Sequence, residues 1–212
     1  MNSPLSFPLD TKTATLSVAP ADSVPVFLVH GYKDDCRKMM RLAKYLRSTG
    51  RDARLCTIAP SQGKVGLDQL ANQLKSQIDH VCPAEHPIDL VGFSMGGLIC
   101  RYYLQRLSGL ERTRRFVTIS TPHRGSLLAW LVDNPACRQM RPGSAFLRDL
   151  ASDAHRLNRT QFTSLWTPLD LMILPSNSSV IPEARCERLF CLAHPLMVFE
   201  RRSLRAVEAA LS

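Results

Sequence analysis

Short apolar runs alternate along the chain with segments whose apolar residues recur every three to four positions. The runs predict buried strands; they occupy 24–29, 53–58, 87–91, 115–120, a stretch within 162–174 that is broken at Pro168, and 189–193. The periodic segments predict amphipathic helices; they occupy 39–46, 67–78, 97–104 and 204–211. Strands that alternate with helices indicate a parallel sheet covered by helices on both faces.

Two segments carry neither pattern. Residues 1–23 are rich in Pro, Ser and Thr, and we expect them to form an N-terminal extension on the surface. Residues 121–160 are mixed and are interrupted by Pro122, Pro135 and Pro142. No internal repeat is present, so we expect one domain, residues 24–212.

The most informative motif is Gly92-Phe93-Ser94-Met95-Gly96, which reads G-x-S-x-G. It lies between a predicted strand and a predicted helix, where it is typical of a nucleophile elbow that lifts a serine hydroxyl above the sheet. A second interpretation is a glycine-rich turn whose serine only caps the helix. The strand–turn–helix context favours a nucleophile, and a serine hydrolase is therefore the first hypothesis.

Such a nucleophile needs donors for the oxyanion that forms on the substrate carbonyl. Val29-His30-Gly31-Tyr32 ends the first predicted strand, where an oxyanion loop belongs. We expect the backbone N–H of Tyr32 and that of Met95 to be the two donors. His30 and Gly31 are expected to brace and shape this loop, and His30 is not expected to exchange protons.

The acid and the base should follow the serine at later strand ends, because α/β-hydrolases have the order Ser, Asp or Glu, His. Asp170 lies in an apolar segment where an unpaired carboxylate would be costly. His194 follows the last predicted strand and precedes the closing helix. We therefore predict a triad of Ser94, Asp170 and His194. The weaker candidates are Asp133, Asp149 and Asp153 for the acid, and His80, His86, His123 and His155 for the base.

An acyl pocket is harder to predict from the sequence. We expect Phe93, His123, Leu127 and Trp130 to line it, with Tyr32 and Leu128 nearby. Packing in the core explains apolar residues at these positions equally well.

Composition limits the remaining interpretations. The net charge is +9, and the arginines form one cluster within 101–115 and a looser one within 138–159. A solvated surface explains these clusters, and peripheral contact with an anionic membrane is the sharper alternative. Nucleic-acid binding is not expected, because no basic motif interleaved with aromatic residues is present.

The N-terminus lacks the features of a signal peptide, and no apolar stretch is long enough to span a bilayer. Seven cysteines without a C-x-x-C pair indicate buried thiols in a reducing compartment rather than disulfides or zinc, with Cys186 and Cys191 as a minor candidate pair. We expect a cytoplasmic monomer that needs no metal or cofactor.

These motifs make the chain similar to the α/β-hydrolase superfamily. More narrowly, it resembles the small lidless bacterial and cyanobacterial lipases of the triacylglycerol lipase class 2 type. The segments that carry the resemblance are 26–32, 91–97, 118–125, the Asp170 segment and 193–196. The resemblance implies a three-layer α/β fold with a mostly parallel central sheet and no lid domain. It also implies Ser94, Asp170 and His194 as nucleophile, acid and base.

These observations predict a serine hydrolase that cleaves carboxylic esters through an acyl-enzyme, with lipid esters as the expected substrates. Two alternatives stay open at this point. One is an acyltransferase that uses the same triad with an alcohol acceptor, and the other is a non-enzymatic interaction protein on a hydrolase scaffold.

Overall fold

A six-stranded parallel sheet forms the centre of the molecule. The computed structural model describes residues 24–212, and the expectations for residues 1–23 lie outside the described residues. The strands are β1 (Val26–Val29), β2 (Ala53–Cys56), β3 (Ile88–Phe93), β4 (Thr113–Ile119), β5 (Gln161–Trp166) and β6 (Arg185–Arg188). Their order across the sheet is β2-β1-β3-β4-β5-β6, and every neighbouring pair is parallel.

Helices cover both faces of this sheet. They are α1 (Met40–Ser48), α2 (Leu67–Val81), α3 (Met95–Arg106), α4 (Pro135–Met140), α5 (Ala145–Ser152) and α6 (Arg201–Ala210). One apolar cluster contains the buried faces of α2, α3, α4 and α5, and a second contains those of α1 and α6. The predicted three-layer α/β fold is therefore confirmed, with an all-parallel sheet in the described part of the chain.

The last strand is not where the apolar pattern places it. The sequence predicts a strand over 189–193, whereas β6 is formed by the preceding polar residues Arg185–Arg188. This strand lies at the edge of the sheet, where its side chains are largely solvated, so it needs no apolar run. The apolar residues that follow belong to a loop in which Phe190 and Leu192 are exposed.

The mixed region 121–160 contains two short helices that we did not predict. α4 begins after Asn134, whose side chain accepts a hydrogen bond from the Cys137 N–H at 2.8 Å, with Pro135 in the first turn. α5 begins after Ser144, whose hydroxyl accepts from the Leu147 N–H at 3.2 Å. These caps are ordinary helix-start signals, but each helix is too short for a clear apolar period.

The arginine cluster within 101–115 is not a free basic patch. Arg101 is buried, donates to the Leu150 carbonyl at 2.7 Å, and has a pKa lowered by burial to about 10. The other four arginines form ion pairs: Arg106 with Asp149 and Asp153, Arg112 with Asp79, and Arg114 and Arg115 with Asp89. Acidic partners far away in the sequence therefore neutralise most of this cluster.

All seven cysteines lie within residues 24–212, and none of them forms a disulfide. Five are buried, as the sequence predicts, and the pair Cys186 and Cys191 is unbridged. Across the same residues, no helix combines the length and the apolar character that crossing a membrane requires.

Candidate active site

Ser94 lies on a tight turn between β3 and α3. Its backbone has φ 54° and ψ −124°, an unusual conformation for a residue with a side chain. The Ser94 N–H donates to the Ile119 carbonyl at 2.8 Å, and the Thr121 hydroxyl donates to the Ser94 carbonyl at 3.0 Å. These bonds to β4 and its following loop hold the strained turn in place, as a nucleophile elbow requires.

Glycine is needed beside this serine because the turn packs against backbone. A Cβ at Gly96 would collide with the carbonyl oxygens of Val29 and His30. A Cβ at Gly31 would lie 3.0 Å from the Cβ of Ser94. The loop after β1 therefore lies directly against Ser94, which is where an oxyanion loop has to be.

Asp170 and His194 form a buried hydrogen-bonded pair. The Asp170 Oδ2 and the His194 Nδ1 are 2.7 Å apart, although 24 residues separate them in the chain. Asp170 follows β5, and His194 begins a 3-10 helix, His194–Val198, in the connection after β6. Both residues therefore come from the carboxyl edge of the sheet, the edge that also carries Ser94.

The environment of Asp170 keeps its carboxylate charged. Burial alone raises its pKa, but hydrogen bonds from His194 and from the N–H groups of Met172 and Ile173 outweigh burial, and the pKa lies below its usual range. The two N–H groups donate to Oδ1 at 2.9 Å each, which leaves Oδ2 for the histidine. This arrangement fixes Nδ1 as the protonated nitrogen and leaves Nε2 free to accept a proton.

His194 lies next to the elbow. Its ring centroid is 4.8 Å from that of Phe93, the residue immediately before Ser94. Phe93 is thus a packing partner of the histidine in the core rather than the wall of an open pocket. The structure therefore places Asp170 and His194 in contact, and it packs the histidine against the residue that precedes Ser94 at the same edge of the sheet.

His30 links the loop after β1 to the segment that follows β2. The Ile58 N–H donates to its Nε2 at 3.1 Å, so Nδ1 carries the proton and donates to the Gly31 carbonyl at 3.1 Å. Burial lowers the pKa of His30, which keeps the ring neutral. This geometry suits the bracing role that the sequence suggests and leaves neither ring nitrogen for catalysis.

The N–H groups of the two candidate oxyanion donors, Tyr32 and Met95, have no backbone acceptor outside their own helix or strand among residues 24–212. The N–H of Tyr32 has no acceptor among residues 24–212. Met95 is the first residue of α3, and the first N–H groups of a helix have no partner within it. Both groups are therefore available to a substrate oxygen.

The residues suggested for an acyl pocket do not form one group. His123 is buried, with its Nε2 3.0 Å from the Thr118 hydroxyl and its ring edge-on to Phe162. Leu127 and Trp130 are more than half exposed. Trp130 also lines an open cavity of about 640 Å³ beside α4 and α5, which none of the triad residues borders.

Sequence reasoning missed the polar residues that support this site. The Thr167 hydroxyl donates to the Cys191 carbonyl at 2.7 Å and so joins the loops that carry Asp170 and His194. Asp34 places a half-buried carboxyl close to Gly31, and burial raises its pKa. The pair Asp34-Asp35, directly after the H-G-Y loop, is the one signal that could have drawn attention to it. Within residues 24–212, no group of three or more His, Cys, Asp or Glu side chains is arranged to hold a metal ion.

Two buried histidines predict a pH dependence of stability. Burial lowers the pKa of His30 and, more strongly, that of His123. In the unfolded chain both return to about 6.5, so below that pH the unfolded state binds protons that the folded state does not. The free energy of unfolding should be fully present above pH 6.5 and should fall as the pH drops toward 5.5, with a slope of up to about 2.7 kcal/mol per pH unit.

Urea unfolding at pH 7.5, 6.5 and 5.5 measures this effect. His30→Gln, which removes one of the two buried titrating groups, should reduce the slope, whereas His86→Gln, at an exposed position, should leave it unchanged. An unfolding free energy that stays constant between pH 7.5 and 5.5 would contradict the assignment of neutral buried histidines.

The fold is shared with lipases of known structure. The mature lipase BlEst2 of Bacillus licheniformis superposes with a TM-score of 0.75 at 16% identity, covering 93% of this chain and 95% of the lipase. Lipase B of Aspergillus fumigatus gives the same TM-score and identity, covering 92% of this chain and 56% of that enzyme. These similarities establish the α/β-hydrolase fold.

The similarity in sequence is narrower. Lysosomal thioesterase PPT2 of Bos taurus is 27% identical over 116 residues, which make up 50% of this chain and 38% of the bovine protein. The chain thus spans well under half the length of the curated relatives that it matches.

The family model for palmitoyl protein thioesterases matches residues 25–166, which is more than half of the chain. The match includes the loop after β1 and the Ser94 elbow, and it ends before Asp170 and His194. It confirms the predicted membership of the α/β-hydrolase superfamily. The chain belongs to the palmitoyl protein thioesterase family.

Proposed function

We propose that this protein hydrolyses acyl esters with Ser94 as nucleophile, His194 as general base and Asp170 as the group that orients the histidine. The observation that supports this most strongly is the buried 2.7 Å bond between Asp170 and His194 at the strand edge that carries the strained Ser94 turn. A buried carboxylate bound to a histidine, which itself packs against the residue before a strained serine, is the arrangement expected of a catalytic acid–base pair.

The reaction follows from these positions. His194 Nε2 takes the proton of the Ser94 hydroxyl as Oγ attacks the substrate carbonyl. The imidazolium then gives this proton to the departing alcohol or thiol, and an acyl-enzyme is left on Ser94. A water molecule, deprotonated by His194, then attacks the acyl-enzyme carbonyl, and the imidazolium returns the proton to Ser94 Oγ as the carboxylic acid leaves.

The negative charge on the tetrahedral intermediate needs donors that are already in place. The N–H groups of Tyr32 and Met95 would supply them, and His30 would keep the Tyr32 loop in position. One such donor is worth about 3 kcal/mol of barrier in comparable sites. The Asp170 carboxylate stabilises the imidazolium that forms in each half of the reaction.

The substrate class that we propose is a lipid-like acyl ester, thioesters included. The family and the curated relatives bear the name of thioesterases. A thioester has a more electrophilic carbonyl and a better leaving group than an oxygen ester, so a triad able to cleave the ester can also cleave the thioester. Water is the proposed acceptor, rather than the alcohol of an acyltransferase.

Two further properties belong to this proposal. All proposed catalytic groups come from one chain, so a monomer is sufficient. Seven unbridged thiols suit a reducing compartment such as the cytoplasm.

A substrate panel tests the proposed function. Purified protein should release free acid from p-nitrophenyl esters of four to sixteen carbons, and from matched peptides that carry a palmitoyl group on serine or on cysteine. With glycerol present, free acid should remain the main product. If the wild-type protein releases no acid from any of these substrates, or mainly transfers the acyl group to glycerol, hydrolysis is the wrong assignment.

A further inference from the structure

Besides Trp130, whose ring faces the Arg141 guanidinium, six large apolar side chains are more than half exposed on the three connections that follow β4, β5 and β6. They are Leu127 and Leu131, Leu171 and Met172, and Phe190 and Leu192, and between 55% and 79% of each is exposed. We call these six residues the apolar rim. Monomeric proteins seldom leave large contiguous apolar surface in water, so such a surface calls for a partner.

The apolar rim is held together by hydrogen bonds between its connections. The Leu127 N–H donates to the Leu174 carbonyl at 2.8 Å, and the Ser126 hydroxyl donates to the Met172 carbonyl at 3.1 Å. The hydrogen bond from the Thr167 hydroxyl to the Cys191 carbonyl joins the connection after β5 to the one after β6. The three connections therefore form one preorganised platform, and the pair of Asp170 and His194 spans two of them.

No exposed charge interrupts the platform. In 127–132, 168–175 and 189–196, the only ionisable side chains are those of Asp170, His194 and Cys191, and all three are buried. A surface of this kind excludes a highly hydrated partner and suits an apolar one.

Three exposed cations lie on or beside the connections at the carboxyl edge of the sheet. Lys33 follows β1, Arg124 precedes Leu127 by three residues, and Arg188 precedes Phe190 by two; all three are exposed. None of them forms an ion pair with another residue of 24–212.

The carboxylates near the apolar rim, at the carboxyl edge of the sheet, either form ion pairs or are partly buried. Asp133 is exposed, but it is bound by Arg138 at 2.6 Å and by Arg141 at 2.9 Å. Asp34, Glu183, Glu187 and Glu200 are partly buried. The exposed and unpaired charge around the platform is therefore positive, which complements an anionic surface.

We propose that the apolar rim docks onto a lipid bilayer that carries anionic headgroups. The six apolar side chains would enter the boundary between headgroups and acyl chains, while Lys33, Arg124 and Arg188 would contact the headgroups. Each basic side chain near such a surface adds to the attraction. The inference rests on the proposed function only in that docking would bring His194 and Ser94 to membrane acyl esters.

Co-sedimentation with vesicles tests the docking. The full-length protein should bind vesicles of phosphatidylcholine with 30% phosphatidylglycerol more tightly than pure phosphatidylcholine, and raising the salt should weaken this preference. Leu131→Asp combined with Leu171→Asp should reduce binding to both vesicles at least tenfold. Val81→Asp is the matched control, because Val81 is an exposed apolar residue on α2, away from the rim.

Folding of the variants is checked by circular dichroism and by urea unfolding. Two results would overturn the proposal: wild-type protein that stays in solution with both vesicles, or a double variant that is folded and binds as the wild type does. A wild-type dimer in sedimentation velocity that the double substitution dissociates, together with absent vesicle binding, would assign the rim to a contact between copies of the chain.

The binding measurement does not depend on hydrolysis. It is repeated with Ser94→Ala, which should bind vesicles as tightly as the wild type. If vesicle binding is found while no ester is cleaved, docking stands and the proposed function fails. If esters are cleaved without vesicle binding, the reverse holds.

Discussion

Ser94→Ala should lower kcat/KM for ester hydrolysis by at least about 10⁴-fold, since loss of the nucleophile removes the acyl-enzyme route. The free energy of unfolding should change by less than about 1 kcal/mol, because alanine meets the same left-handed backbone as serine at φ 54°. Initial rates with p-nitrophenyl butyrate and urea unfolding of the same preparation measure the two quantities.

Ser48→Ala is the matched control for this variant. Ser48 is exposed on α1, and its hydroxyl bonds only to the Tyr45 carbonyl. It should hydrolyse the ester at the wild-type rate. If Ser94→Ala is folded and retains more than about a tenth of wild-type activity, Ser94 is a turn residue and not a nucleophile.

Asp170→Asn should lower kcat by about 10⁴-fold and change KM little, because the amide cannot hold the histidine in the tautomer that leaves Nε2 free. The amide nitrogen can replace neither the acceptor of the His194 Nδ1–H nor the negative charge that stabilises the imidazolium. Steady-state kinetics on the soluble ester separate kcat from KM.

Asp133→Asn provides the comparison, since Asp133 is an exposed acid that forms ion pairs outside the site. It should retain wild-type kcat. A folded Asp170→Asn protein that loses less than tenfold would remove Asp170 from the triad. If Asp149→Asn or Asp153→Asn then lost activity instead, the role would pass to one of those weaker candidates.

The apolar pattern predicted most of the fold because a buried parallel strand needs a continuous apolar run and an amphipathic helix needs apolar residues every three to four positions. β1, β3 and α2 lie within a few residues of their predicted positions, since each of them has fully buried apolar side chains. β6 was misplaced because an edge strand made of Arg185–Arg188 is polar, while the apolar residues beyond it lie on the surface. An apolar pattern predicts which residues are buried. That prediction fails here because the strand is polar and the apolar residues after it are exposed.

The candidate triad could be predicted because chain order and strand ends restrict where an acid and a base can lie. The contacts that hold it could not be predicted. The bond from Thr121 to the Ser94 carbonyl and the bond from Thr167 to Cys191 join residues 24 or more positions apart. The ion pairs of the arginines could not be predicted for the same reason, since the partner of Arg114 is Asp89 on the neighbouring strand. Pairing at long range appears only in the folded chain.

Covalent labelling tests the central claim most directly. The protein is treated with a fluorophosphonate probe, digested, and mapped by mass spectrometry, because such probes react with serines that a neighbouring base activates. We expect one stoichiometric adduct on the peptide that contains Ser94, which should be lost in Ser94→Ala and should form much more slowly in Asp170→Asn. A folded wild-type protein without an adduct, or with the adduct on another serine, would contradict the claim.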